Sequence, residues 1–159
     1  MYVTDILDKC ADLAARAAAV YRQLAVRFGD DGERVRLWRE LALEEETHAD
    51  VLRRELRSFE SDDEAGGFLP DFAERLQSTD RELIDLERRA AAAKKLDDAL
   101  AIAVALEQRG LEDLYDDLVL QGQPAFRILA ERVEAALSTQ PILASNAGLP
   151  RLFKRPAAK

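Results

Sequence analysis

From Thr4 to Phe28 the chain places apolar residues at every third or fourth position and contains neither glycine nor proline. Ile6, Leu7, Cys10, Leu13, Ala14, Ala17, Val20, Tyr21 and Leu24 therefore share one stripe of a single long helix. A helix of this kind is held mainly by burying its apolar stripe, so it needs helical partners. Gly29-Asp30-Asp31-Gly32 ends it, and Asp30 or Asp31 can cap a second helix. That second helix carries Val35, Trp38, Leu41, Ala42, Glu45, His48, Ala49, Leu52 and Leu56 and fades near Ser61-Asp62. So short a connector predicts an antiparallel hairpin.

Residues 62–95 read as a long crossover. Ser61 to Gly67 is turn-like, and Pro70-Asp71 opens a short helical piece that ends near Gln77. Thr79-x-x-Glu82 has the capping-box pattern for a further helix running into the alanines at 90–93. A bend is expected near Lys94 to Asp97, with Asp97 as the new N-cap. The third main helix, Asp97 to Gln121, puts Leu100, Ala103, Val104, Glu107, Gly110, Leu111, Leu114 and Leu118 on one face. Gly122-Gln123-Pro124 breaks it, and a fourth helix runs to Ser138, before Pro141. The predicted fold is all-α: a four-helix bundle of two antiparallel hairpins joined by a long helical crossover. Residues 1–140 form the domain and residues 141–159 a tail. The halves also repeat. Ala11 to Ala17 aligns with Val104 to Gly110 at an offset of 93, and Trp38 to Ala42 with Phe126 to Ala130 at an offset of 88.

Composition removes several functional classes. One Cys excludes an internal disulfide framework, a zinc ribbon and any Cys-ligated iron–sulfur or rubredoxin-type centre. One His excludes, within one chain, every site that needs two imidazoles. Arg151, Lys154, Arg155 and Lys159 give the tail four bases and no acid. Taking these four from the chain's 23 basic residues leaves 19 against 31 acids, a net of −12 over residues 1–150. A surface that acidic makes nucleic acid an unsuitable partner, whereas the basic tail can dock on an acidic one. No apolar run approaches the ~20 residues of a membrane span. The charges at Asp5, Asp8, Lys9 and Asp12 do not suit a signal peptide, so a cytoplasmic protein is expected.

The residues that could carry chemistry lie on the inward stripes. Glu45-x-x-His48 sets a carboxylate and an imidazole one turn apart on the face that also bears Leu41, Ala42 and Leu52. Glu107 lies among Ala103, Val104 and Gly110 on the third main helix. A buried carboxylate is costly unless it is paired, protonated or bound to a cation. Two Glu and one His form a donor set for iron, manganese or zinc.

With these residues in place, the chain resembles the ferritin-like superfamily, most closely its rubrerythrin-like branch. ILDKCADLAARAAAVYRQLA is similar to that family's first helix, LWRELALEEETHADVL to its second, DALAIAVALEQRG to its third and RILAERVEAAL to its fourth. The resemblance implies a dimetal site with a Glu from each of two helices and a Glu-x-x-His from each of the others. Residue by residue, Glu45, His48 and Glu107 match ligand positions, while the other three fall on Ala14, Val133 and Ala136. The family often carries a Tyr seven residues after the first-helix ligand position, and Tyr21 stands so relative to Ala14. The Cys-rich module of full rubrerythrins has no counterpart here.

The resemblance thus implies a degenerate diiron site with oxidoreductase or peroxidase ancestry. Half the ligands are missing, which argues against a working diiron enzyme. One reading keeps a single divalent cation on Glu45, His48 and Glu107. The other is a non-catalytic helical scaffold that has lost metal binding. A homodimer is expected on either reading. Cys10, Trp38 and Tyr21 are expected to pack in the core, and of the Glu44-Glu45-Glu46 run only Glu45 is expected to face inward.

Overall fold

The computed structural model describes residues 1–29, 32–60, 68–69 and 72–108. These form four helices: α1 (Val3–Phe28), α2 (Gly32–Glu60), α3 (Phe72–Ala92) and α4 (Leu96–Glu107). The rest of the third main helix, the Pro124 to Ser138 helix, Val133, Ala136 and the tail at 141–159 lie outside the described residues. Among the described residues the protein is all-helical, compatible with a helical bundle.

α1 is the central element, packing against α2, α3 and α4. Its stripe feeds two apolar clusters. In the lower one Val3, Ile6, Leu7, Cys10 and Leu13 meet Val51 and Leu52 of α2 and Phe72, Leu76 and Leu83 of α3. In the upper one Val20, Tyr21 and Leu24 meet Trp38 and Ala42 of α2, Leu86 and Ala90 of α3, and Ala99, Ile102 and Ala103 of α4. Early residues of α1 thus meet late residues of α2, so these two helices are antiparallel. α3 climbs alongside α1 in the same direction. Because α3 carries the chain back to the upper end, α2 and α4 both start there. Leu106 of α4 touches both clusters. Cys10 is fully buried, as a small apolar residue would be.

Local chemistry explains where the helices begin and end. At the α1–α2 turn a Cβ on Gly29 would strike the Ala25 carbonyl oxygen and the Val35 side chain, so the close approach needs glycine. At the base of the bundle Leu69 N donates to Met1 O at 2.9 Å, and the Met1 amine donates to Leu69 O at 3.0 Å. Arg16 ties α1 to α3. Its Nε and Nη2 donate to both oxygens of Glu87 at 2.8 and 3.0 Å, and Nη1 donates to Asp80 at 2.5 Å. Arg27 donates to the carbonyls of Ala90 and Ala91 at 2.9 and 2.5 Å. It thereby places a cation on the last, otherwise unpaired acceptors of α3.

Two sequence expectations need correction. The crossover holds one continuous helix from Phe72 to Ala92, not two pieces. Thr79 does not start a helix. Its hydroxyl donates to the Arg75 carbonyl at 3.2 Å, the i−4 bond of a helix interior. The apolar sequence Phe72, Leu76, Leu83, Leu86 and Ala90 is buried along its length, and burial prevails over a local capping signal. The bend after Ala92 is present, but Lys95 and not Asp97 takes the cap position. Asp98 reaches back from the first turn to accept from Lys95 N at 3.2 Å.

Candidate functional site

Between the two apolar clusters α1 presents small residues. Ala14 has no exposed surface, and Ala17 and Ala18 are also buried. Glu45 and His48 sit in α2 between the residues it gives to the upper cluster, Trp38 and Ala42, and those it gives to the lower, Val51 and Leu52. The two side chains are largely covered, with 18% and 12% of their surface exposed, and Glu45 Oε2 lies 3.6 Å from His48 Nδ1. That separation is an ion-pair distance and too long for a hydrogen bond. Glu45 Oε2 is shut off from water and accepts no hydrogen bond among the described residues.

Glu107 reaches the same region by a different route. It is the last residue of α4 and is exposed, whereas the stripe spacing put it on the inward face. Its Oε1 accepts a 2.6 Å hydrogen bond from the hydroxyl of Tyr21, which is fully buried. The Tyr21 phenol is pushed well above its ordinary range. Burial is the first cause, followed by the Glu107 charge and hydrogen bond and then by the charges of Glu45 and Glu44. Carboxylates from α2 and α4 therefore converge on one tyrosine of α1.

Glu45 and His48 face each other as expected, while Glu107 bonds the Tyr21 hydroxyl, which feels the charge of Glu45. Among the described residues no three His, Cys, Asp or Glu side chains are gathered closely enough to hold a metal ion. Glu45 and His48 still fit two positions on one divalent cation, since a carboxylate oxygen without a donor and an imidazole are suitable ligands. Ala14 of α1 is fully buried, and the chain has a single imidazole.

The Glu44-Glu45-Glu46 run also differs from expectation. All three residues are partly buried, and Glu46 pairs with Arg22 of α1, so the run is not a solvated face. Glu55 was not singled out from the sequence, yet only 6% of it is exposed. It lies seven residues beyond His48, two helical turns along the same face, and that spacing was the available signal.

Burial of titratable groups in this region has a measurable consequence. The Cys10 thiol is pushed from its ordinary 9.0 up to about 12 by burial, and Tyr21 moves in the same direction. The unfolded chain gives up the thiol proton as pH passes 9.0, while the folded chain keeps it to about 12. The associated stability is complete below that window and is lost as pH rises through it. Unfolding free energies from urea titrations should fall across this alkaline range, with a slope of up to about 1.4 kcal/mol per pH unit for each group. Cys10→Ala should flatten the onset, and an unchanged profile in that variant would contradict the assignment.

No helix among the described residues is long and apolar enough to cross a membrane. Compared with protein-family models, curated proteins and solved structures, the chain matches none.

Proposed function

We propose that this chain is a ferritin-like, rubrerythrin-like bundle whose dimetal centre is reduced to one half. Glu45, His48 and Glu107 then hold at most one divalent cation, iron before manganese or zinc. The observation supporting this reading is the covered Glu45 oxygen that accepts no hydrogen bond among the described residues and faces His48 at 3.6 Å. A buried carboxylate oxygen without a donor costs free energy that a cation would return. A bound ion would supply Lewis acidity there; the protein's own part is to orient Glu45 and His48 from one helix face and to exclude water with the apolar clusters on either side. The same proposal places the chain in the cytoplasm as a homodimer, with the basic residues between Arg151 and Lys159 docking on an acidic partner.

The test is anaerobic calorimetric titration of the full chain with Fe(II), Mn(II) and Zn(II). One site is expected. His48→Ala and Glu45→Gln should each weaken it by more than the roughly tenfold typical of losing an outer-shell partner. A second reading is a scaffold without metal. It is favoured by the Tyr21 bond that engages Glu107 and by the lack of a three-donor group among the described residues. On that reading no cation binds, and replacing Glu45 and His48 together by leucine leaves the protein equally or more stable.

A further inference from the structure

The chain has one tryptophan and three tyrosines. Trp38 and Tyr21 are both closed off from water, and both belong to the upper apolar cluster. An indole and a phenol give up one electron more easily than a phenyl ring, so these two are the oxidisable aromatic groups of that cluster. They differ in what becomes of the proton. The indole Nε1 of Trp38 finds no acceptor among the described residues. The Tyr21 hydroxyl donates to Glu107 Oε1 at 2.6 Å, the length of a bond to a charged acceptor. An aromatic radical cation held in the cluster is a buried charge without a partner, which is costly. A phenol that hands its proton to a carboxylate as it loses an electron leaves no charge behind. Burial, and then the charges of Glu107, Glu45 and Glu44, keep Tyr21 protonated well above its ordinary range, so electron and proton leave together. Glu107 is exposed at the last residue of α4, which gives the proton a way to water. The transfer uses only the oxygen that already holds the hydrogen bond, whatever the second oxygen touches.

We propose that Tyr21 is a one-electron redox site: an oxygen-centred radical takes its electron by way of Trp38 while Glu107 takes its proton. The Tyr21 O–H bond breaks and an O–H bond forms on Glu107 Oε1. The oxidant is reduced to its anion, and Trp38 is restored when Tyr21 refills it. Tyr21 becomes a neutral phenoxyl radical, and Glu107 becomes a carboxylic acid that gives the proton to water. A thiolate reverses the step by giving one electron and becoming a thiyl radical, and a proton returns by way of Glu107. Burial keeps the phenoxyl radical from coupling with a second chain, a shelter that Tyr2, more than half exposed, lacks. This role requires no cation and stands apart from the reading above.

The test is pulse radiolysis of the full chain with the azidyl radical, a one-electron oxidant that becomes azide. Tyr2→Phe/Tyr115→Phe leaves Tyr21 as the only tyrosine beside the natural single tryptophan. In that variant the indolyl absorption should decay as the tyrosyl absorption rises, at a rate independent of protein concentration and slower in deuterated water. Glu107→Gln, at an exposed position, keeps an oxygen that accepts a hydrogen bond but takes no proton. Added to the variant, it should slow the tyrosyl rise by roughly a hundredfold, the low end of what a positioned base contributes. A tyrosine that only packs and anchors Glu107 predicts no such slowing. The proposal is overturned if no tyrosyl absorption appears, if its rate grows with protein concentration, or if Glu107→Gln and deuterated water both leave the rate unchanged. Should the double variant unfold, the natural chain and its Glu107→Gln variant are compared in the same way, and equal rates in the two overturn the proposal.

Discussion

Ala14→Glu is expected to destabilise the protein by about 3–5 kcal/mol or more. Ala14 has no exposed surface, and its neighbours on the stripe, Ala17 and Ala18, are also buried. A glutamate there has to displace packed atoms and to bury a charge beside a region that already holds Glu45 and Glu107. A domain of this size has ~5–15 kcal/mol of stability in total, so much of it would go. Thermal unfolding followed by circular dichroism measures the loss. Divalent cations should return part of it, because the new carboxylate would add a ligand on α1 opposite the α2 pair. Wild-type stability in the variant would mean that the alanines between the two apolar clusters are not closely packed.

Trp38→Ala should produce a loss of similar size, about 3–5 kcal/mol in urea unfolding. Trp38 is 1% exposed and joins α1, α3 and α4 residues in the upper cluster, so truncating it opens a large cavity where four helices meet. Trp38→Phe distinguishes volume from polarity. The indole Nε1 finds no acceptor among the described residues, so exchange for phenylalanine removes an unserved donor while keeping an aromatic ring. The expected cost is under about 2 kcal/mol, a smaller cavity offset by the relieved N–H. Equal losses in the two variants would show that the indole N–H is held by a bond that matters. Circular dichroism is the suitable probe, since both changes remove the chain's one tryptophan.

Much of the helical framework was legible because helix periodicity is a local property. The first helix was expected from Thr4 to Phe28 and runs from Val3 to Phe28, and the Gly29 turn behaves as its residues suggest. The bend after Ala92 was legible too, although the cap falls on Lys95. Asp97 and Asp98 are equally good acceptors in sequence, and only the backbone direction decides which one reaches Lys95 N. Thr79 misled because its local pattern suits a helix start, whereas the buried face on both sides of it keeps the helix intact. Within the site, the pairing of Glu45 with His48 followed from a three-residue spacing. The Tyr21–Glu107 bond did not, because its partners are 86 residues apart and the hydroxyl direction depends on how α1 and α4 pack.

The single histidine and single cysteine settled, before any fold was known, that one chain carries no two-imidazole site and no thiolate cluster. The periodic stripes settled helices and the short α1–α2 turn settled their hairpin, since these depend on neighbours within a few residues. The tertiary structure decided what the inward polar residues do. Glu107 is exposed and turned to Tyr21, Glu45 Oε2 lies beside His48 without a hydrogen-bond donor among the described residues, and Glu46 is paired with Arg22. The physical reason is that a hydrogen bond depends on where two atoms lie to within a fraction of an ångström, and spacing along one helix specifies its face but not its partner on another.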